Sequence, residues 1–310
     1  MQNHSCNLDQ LLMEYRSSKR PHMIKKLQFL GVDGYDVYNI SNPFVWEGNE
    51  YIAGRVEKRN SEISSVRFFR RIGEDVYEAT PTILQDLQDP FVEIIDGLLL
   101  VGGTEIHYEK NGPIDSWSTV FYQGKTFSNL TKIITAPMKM KDVRIQKGEK
   151  YYVMSRPQGG NAKWGKIGFA SVESLKELTT EFIAKAPLID DLFGDNCWGG
   201  ANQMHILKNR FIGVLGHVAR MSKGNVRHYY GMTFAINPNT GKRTPMKIIC
   251  ERQDFPSGAS KRPDLLDVIF VGGLVRNSDK TATIYTGVSD AEAHYAVIDD
   301  PFIEYEELSE

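Results

Sequence analysis

Apolar positions recur along this chain with two different periods, and the change from one to the other comes early. Leu8, Leu11, Leu12 and Tyr15 gather on one face of a 3.6-residue repeat, with Asn7 placed to cap the first turn and Pro21 barring continuation. This predicts a short amphipathic helix over Leu8 to Ser17. Beyond it the helical period all but vanishes. Short runs alternate with period two: Tyr51 to Val56, Ser65 to Arg70, Val92 to Ile95, Leu98 to Gly102 and Ser118 to Tyr122. Tight-turn sequences lie beside them, at Glu47-Gly48-Asn49, Asp96-Gly97, Lys147-Gly148-Glu149, Lys208-Asn209-Arg210 and Asn277-Ser278-Asp279-Lys280, which predicts many hairpins.

A coarser regularity overlies the hairpins. A strand, a tight turn, a second strand rich in Gly or aromatics, a polar loop and further strands recur about every 50 residues, a spacing typical of propeller blades. Five such units begin near Asp36, Asp89, Asp142, Trp198 and Asp264. The expected fold is therefore all-β, a five-bladed β-propeller, with residues 1–22 as a helical extension and 23–310 as one propeller domain; an irregular β-sandwich is the competing architecture. In a propeller the inner strands line a central channel, so the polar ends of the second strands would meet there: Arg55 and Glu57, Thr104 and Glu105, Ser155 and Arg156, His217, and Asp290.

Composition narrows the choice of partner. The 310 residues carry 37 Lys and Arg against 39 Asp and Glu, so no excess charge points to nucleic acid or an anionic membrane. Cys6, Cys197 and Cys250 are odd in number and far apart, read as buried thiols in a reducing compartment. The stretch Met1 to Arg20 is polar, without the apolar core of a secretion signal, and no apolar run approaches a membrane span. A cytoplasmic protein is expected.

Candidate chemistry sits at strand ends. Asp89 lies in Asp86-Leu87-Gln88-Asp89-Pro90-Phe91, where Pro90 disfavours helix for the residue before it, so Asp89 is expected to be extended at the mouth of a strand and able to aim at a ligand. Asp-Pro is equally a turn starter. Arg55, Arg59 and Arg156 at one channel mouth would form a phosphate site, since guanidinium groups match oxyanions bidentately; taken singly, each also reads as part of a salt-bridged edge. His217, ending the apolar run from Phe211 to Gly216, is either an anion or sugar contact or a satisfied core histidine. Trp198-Gly199-Gly200-Ala201-Asn202-Gln203-Met204 suits sugar stacking or a buried blade junction. The spacing of His205, His217, His228 and His294 matches no metal site, and the glycine pairs match no nucleotide-binding fingerprint.

The order of motifs Tyr38-Asn39-Ile40-Ser41-Asn42-Pro43, Ala53-Gly54-Arg55-Val56-Glu57, Asp89-Pro90, Ser155-Arg156-Pro157, Leu215-Gly216-His217 and Tyr285-Thr286-Gly287-Val288-Ser289-Asp290 resembles the five-bladed propellers of glycoside hydrolase family 130, largely β-mannoside phosphorylases, and more nearly their relatives in glycosyltransferase family 108, β-1,2-mannosyl transferases and phosphorylases. The similarity runs from residue 30 onward. It implies Asp89 as the general acid, acting through a sugar hydroxyl; Asn39, Arg55, Asp290 and Glu105 as contacts to the mannosyl unit; and Arg59, Arg156 and His217 as the anion site. Phe91 departs from the family pattern, which places Arg after the Pro. The expected activity is inverting phosphorolysis of a β-1,2-mannoside, with inorganic phosphate as co-substrate and no cofactor or metal. A hydrolase using Glu57, Glu105 or Asp290 as base, or a catalytically silent carbohydrate-binding propeller, are the alternatives. The expected partner is a sugar, with neither nucleic acid nor membrane, and homo-oligomer formation is left open.

Overall fold

The computed structural model describes residues 7–18, 21–109 and 113–308. Five blades, antiparallel except for one outer pairing in the first, succeed one another along the chain, with innermost strands Asp36–Tyr38, Leu87–Ile95, Lys141–Lys147, Cys197–Ile206 and Ile269–Arg276. The helix spans Leu8–Ser17, and the Asn7 side chain accepts the backbone N–H groups of Asp9 and Gln10. The hairpin turns also fall where the dipeptides place them: Asp96 and Gly97 take φ of 53° and 72°, the left-handed pair that a tight two-residue turn requires.

A ring of blades must be closed, because open sheet edges invite further pairing. Two neighbouring N-terminal segments do this. Met23–Lys26 pairs antiparallel with Glu292–Asp299 as the outer strand of the fifth blade, and Gln28–Leu30 pairs parallel with Val76–Gln85 as the outer strand of the first. Leu27, buried between them, donates its N–H to the Ala293 carbonyl at 2.9 Å. Only three strands form the third blade among the described residues, and its flank is packed by Leu178 and Ile183 around the short helix Thr180–Ala184.

Apolar side chains fill the seams between blades, one cluster per seam, so both faces of each sheet are buried. That explains why runs such as Ile212 to Val218 are buried without a break instead of alternating. The N-terminal helix adds Leu8, Leu12 and Tyr15 to the seam between the third and fourth blades. Arg16 anchors its end through Glu251 at 2.6 Å.

Cys250 is a buried free thiol as expected; Cys197 is only half-buried, at the start of its strand, and Cys6 lies outside the described residues. No described helix is long and apolar enough to cross a membrane.

Candidate active site

The inner strands carry bulges, and these aim the site. Register slips between Gln88 and Phe91 and between Lys141 and Arg144 leave Asp89 and Asp142 as extra residues. Both are left-handed, with φ of 52° and 51°, as are Asn39 at 47° and Asp290 at 50°. Asn and Asp tolerate this region best among residues with a side chain, and a bulge re-aims the side chain it carries. The expectation that Asp89 is extended is thus corrected: Pro90 does hold it out of the right-handed helical region, but the bulge selects positive φ rather than an extended one.

These side chains converge on a cavity of about 390 Å³ at the propeller axis. Of the eight residues singled out from the sequence, six line it: Asn39, Arg55, Asp89, Arg156, His217 and Asp290. Glu105 and Arg59 do not. Glu105 is held by Lys132 at 2.6 Å towards the outer strands of the second blade. Arg59 lies past the end of strand Asn49–Glu57 and forms a two-point ion pair with Asp36. Both are corrections, and neither residue reaches the cavity.

One end of the cavity is built by the first, second and fifth blades. Asn39 Nδ2 donates to Asp89 Oδ1 at 2.8 Å, and Arg55 Nη1 lies 3.5 Å from the same oxygen. Arg55 is fixed by Glu57 Oε2, at 3.1 and 2.6 Å, and stacks at 5.0 Å over the Tyr38 ring. Lys261 bonds the other Glu57 oxygen and reaches Glu62 at 3.0 Å. Gly287 permits the arrangement, since a Cβ there would stand 2.0 Å from Asn39 Oδ1. Burial pushes the Asp290 carboxyl above the usual range, against the pull of Arg55.

The other end comes from the third, fourth and fifth blades. Arg156 donates to Asp142 Oδ2 at 3.2 Å and to the Gly199 carbonyl at 3.0 Å. A Cβ on Gly200 would lie 2.8 Å from Arg156 Cδ, 2.9 Å from Asp142 Oδ2 and 3.0 Å from His217 Cε1, so the glycine marks the point where these three groups meet. Burial favours a neutral Asp142, but the charges of Arg156, Arg144 and Lys141 outweigh it and hold the carboxyl below its ordinary value. Lys141 sits 5.5 Å from the Trp117 ring centre; burial lowers its pKa even though Asp89 and Asp142 both oppose the shift. Burial also pushes His217 down to about 4, so its imidazole is neutral near pH 7.

Six cationic side chains line the cavity against four carboxylates, an excess that favours an anion. Among the described residues no cluster of His, Cys, Asp or Glu has the geometry to hold a metal. Lys141, Asp142, Tyr229 and Lys261 were not read from the sequence as site residues. Asp142 carried a signal, since it stands 53 positions after Asp89 at the same point of the blade repeat. Lys261 carried none, because it enters from the irregular loop between the fourth and fifth blades.

Residues 14–304 match the family model described as "Protein of unknown function (DUF1861)". No curated protein matches. A mannose phosphorylase from Leishmania mexicana, solved in complex with phosphate ion, is 35% identical, with a TM-score of 0.89 over 98% of this chain and 96% of that one. A GDP-Man-dependent mannosyltransferase from the same organism is 31% identical, with a TM-score of 0.88 over 99% and 98%. The β-1,2-mannobiose phosphorylase from Listeria innocua, at 17% identity and a TM-score of 0.61 over 88% and 93%, shares the fold.

Proposed function

The chain belongs to the DUF1861 family and is a five-bladed propeller related to mannoside phosphorylases; from that kinship and the cavity at its axis we propose that it is an inverting β-mannoside phosphorylase acting on β-1,2-mannosides. The observation that carries the reading is the polarity of the cavity, with the Asp89 carboxylate held by Asn39 and Arg55 at one end and a cationic corner of Arg156 and Lys141 at the other.

An inverting hydrolase needs two carboxylates, one as acid and one as base to activate water. Phosphate is already an anionic nucleophile, so a phosphorylase replaces the base by a cradle that positions the anion beneath the anomeric carbon. In the proposed reaction a phosphate oxygen bonds to the anomeric carbon as the bond to the bridging oxygen breaks. Asp89 supplies the proton to that departing oxygen, and α-mannose 1-phosphate leaves with inverted configuration. Run backward, the same steps lengthen a mannoside.

The hydrolytic alternative loses two of its three candidate bases. Glu105 lies outside the cavity, and Glu57 is locked between Arg55 and Lys261. Asp290 is the one that remains. Mixing the protein with mannose 1-phosphate and mannose is expected to release inorganic phosphate and form a disaccharide. Disaccharide formation with release of GDP from GDP-mannose alone, or product from neither donor, would contradict the proposal.

A further inference from the structure

Asn202 is wholly buried at the bulge of the fourth blade's inner strand. Its side-chain amide donates to the Val271 carbonyl at 2.7 Å, which settles its orientation, because an oxygen placed there would face another oxygen. Asn202 Oδ1 therefore points at His217 Nδ1, 3.0 Å away, and Nδ1 must carry the proton. A ring turned over to exchange its nitrogens would lose this bond. Tyr229 stacks on it at 5.4 Å and Phe270 lies at 5.4 Å, both measured between ring centres.

The other ring nitrogen, Nε2, is directed to the corner shared with Asp142, whose Oδ2 lies 4.0 Å from it. Among the described residues no donor hydrogen-bonds to Nε2. A second proton on the ring is opposed by its burial and by Arg156 and Arg144, while Asp142 and Asp89 only partly favour it. The corner thus offers its ligand two acceptors, the Nε2 lone pair and the Asp142 carboxylate, beside the donors of Arg156.

Resting on the phosphorolytic reading, we propose that Asn202 positions His217 as an acceptor, so that the anion site takes an oxyanion bearing its own proton, such as hydrogen phosphate, and turns away an aprotic one of the same shape, such as sulfate. At neutral pH inorganic phosphate keeps at least one hydroxyl and sulfate keeps none. The phosphate O–H donates to His217 Nε2, which orients the remaining oxygens towards Arg156, Lys141 and the anomeric carbon. Sulfate would set an unprotonated oxygen against a lone pair in a buried site, and an unmatched buried acceptor carries a cost. His217 is then a specificity-determining contact and Asn202 a positioning residue.

Calorimetric titration of the full chain with inorganic phosphate and with sodium sulfate tests this. Phosphate is expected to bind at least about tenfold tighter than sulfate. His217→Gln, whose amide can turn an N–H to the anion, and Asn202→Asp, whose carboxylate favours the doubly protonated ring, are both expected to bring the two affinities within a few-fold of each other. Nitrogen-15 shifts of the wild-type histidine rings, with the His217 signals identified by their loss in His217→Gln, are expected to show protonated Nδ1 and bare Nε2. Equal affinity for both anions in the wild type, or a ring protonated on Nε2, would overturn the inference while leaving phosphorolysis standing. Failure of both anions to bind would remove the phosphorolytic reading and the inference together.

Discussion

Asp89→Asn is expected to lower the rate of mannose 1-phosphate formation by about 10²–10⁴-fold, the range that a positioned general acid contributes, while mannoside affinity and thermal stability stay near wild type. The substitution is close to isosteric. Its remaining oxygen can still accept from Asn39 Nδ2, and the bulge that gives position 89 a φ of 52° suits Asn as well as Asp. What disappears is the proton that the departing oxygen needs. Steady-state kinetics beside calorimetric sugar binding separate the two effects. A variant keeping more than about a tenth of wild-type turnover would remove Asp89 from the role of acid.

Glu57→Gln is expected to act on the fold before it acts on the reaction. Glu57 is buried to 1% exposure and neutralises two cations that are nearly as inaccessible, Arg55 and Lys261, with side-chain exposures of 6% and 4%. Removing one member of a buried ion pair leaves its partner charged in a poorly solvated site, which costs about 3–5 kcal/mol. Glu62, more exposed, remains 3.0 Å from Lys261 and 3.9 Å from Arg55, so the loss is expected near the lower end, about 3 kcal/mol. Chemical denaturation measures it. Glu57→Gln combined with Lys261→Met is expected to recover part of the loss, since one stranded charge goes with its partner. A single variant as stable as the wild type would mean that this cluster does not hold the sugar end of the cavity together.

Much of the architecture was legible because it depends on local pattern. Asn7 and the spacing of Leu8, Leu12 and Tyr15 mark the helix, and Asp96-Gly97 marks its hairpin, since these signals act within a few residues. Five blades follow from a period of about 50 residues. The site was legible only where a strand end implied convergence, as at Arg55, Arg156 and His217.

The misreadings have a common physical source. Which way a side chain at a strand end points depends on register, and one bulge or one added residue changes it. Glu105 turns outward to Lys132. Arg59 lies two residues past its strand, and Asp36 captures it on the surface. Asp89 is re-aimed by a bulge that no period-two pattern records. Lys261 and Tyr229 join the cavity through loop placement and strand stacking between distant blades, which only the closed ring determines.

In the proposed reaction the cationic corner of Arg156 and Lys141 holds phosphate as the nucleophile. Proton NMR of a β-1,2-mannobiose digest, followed from zero to saturating phosphate, tests it most directly. Negligible breakdown is expected without phosphate, and stoichiometric α-mannose 1-phosphate with it. Free mannose released at the same rate whether or not phosphate is present would contradict it.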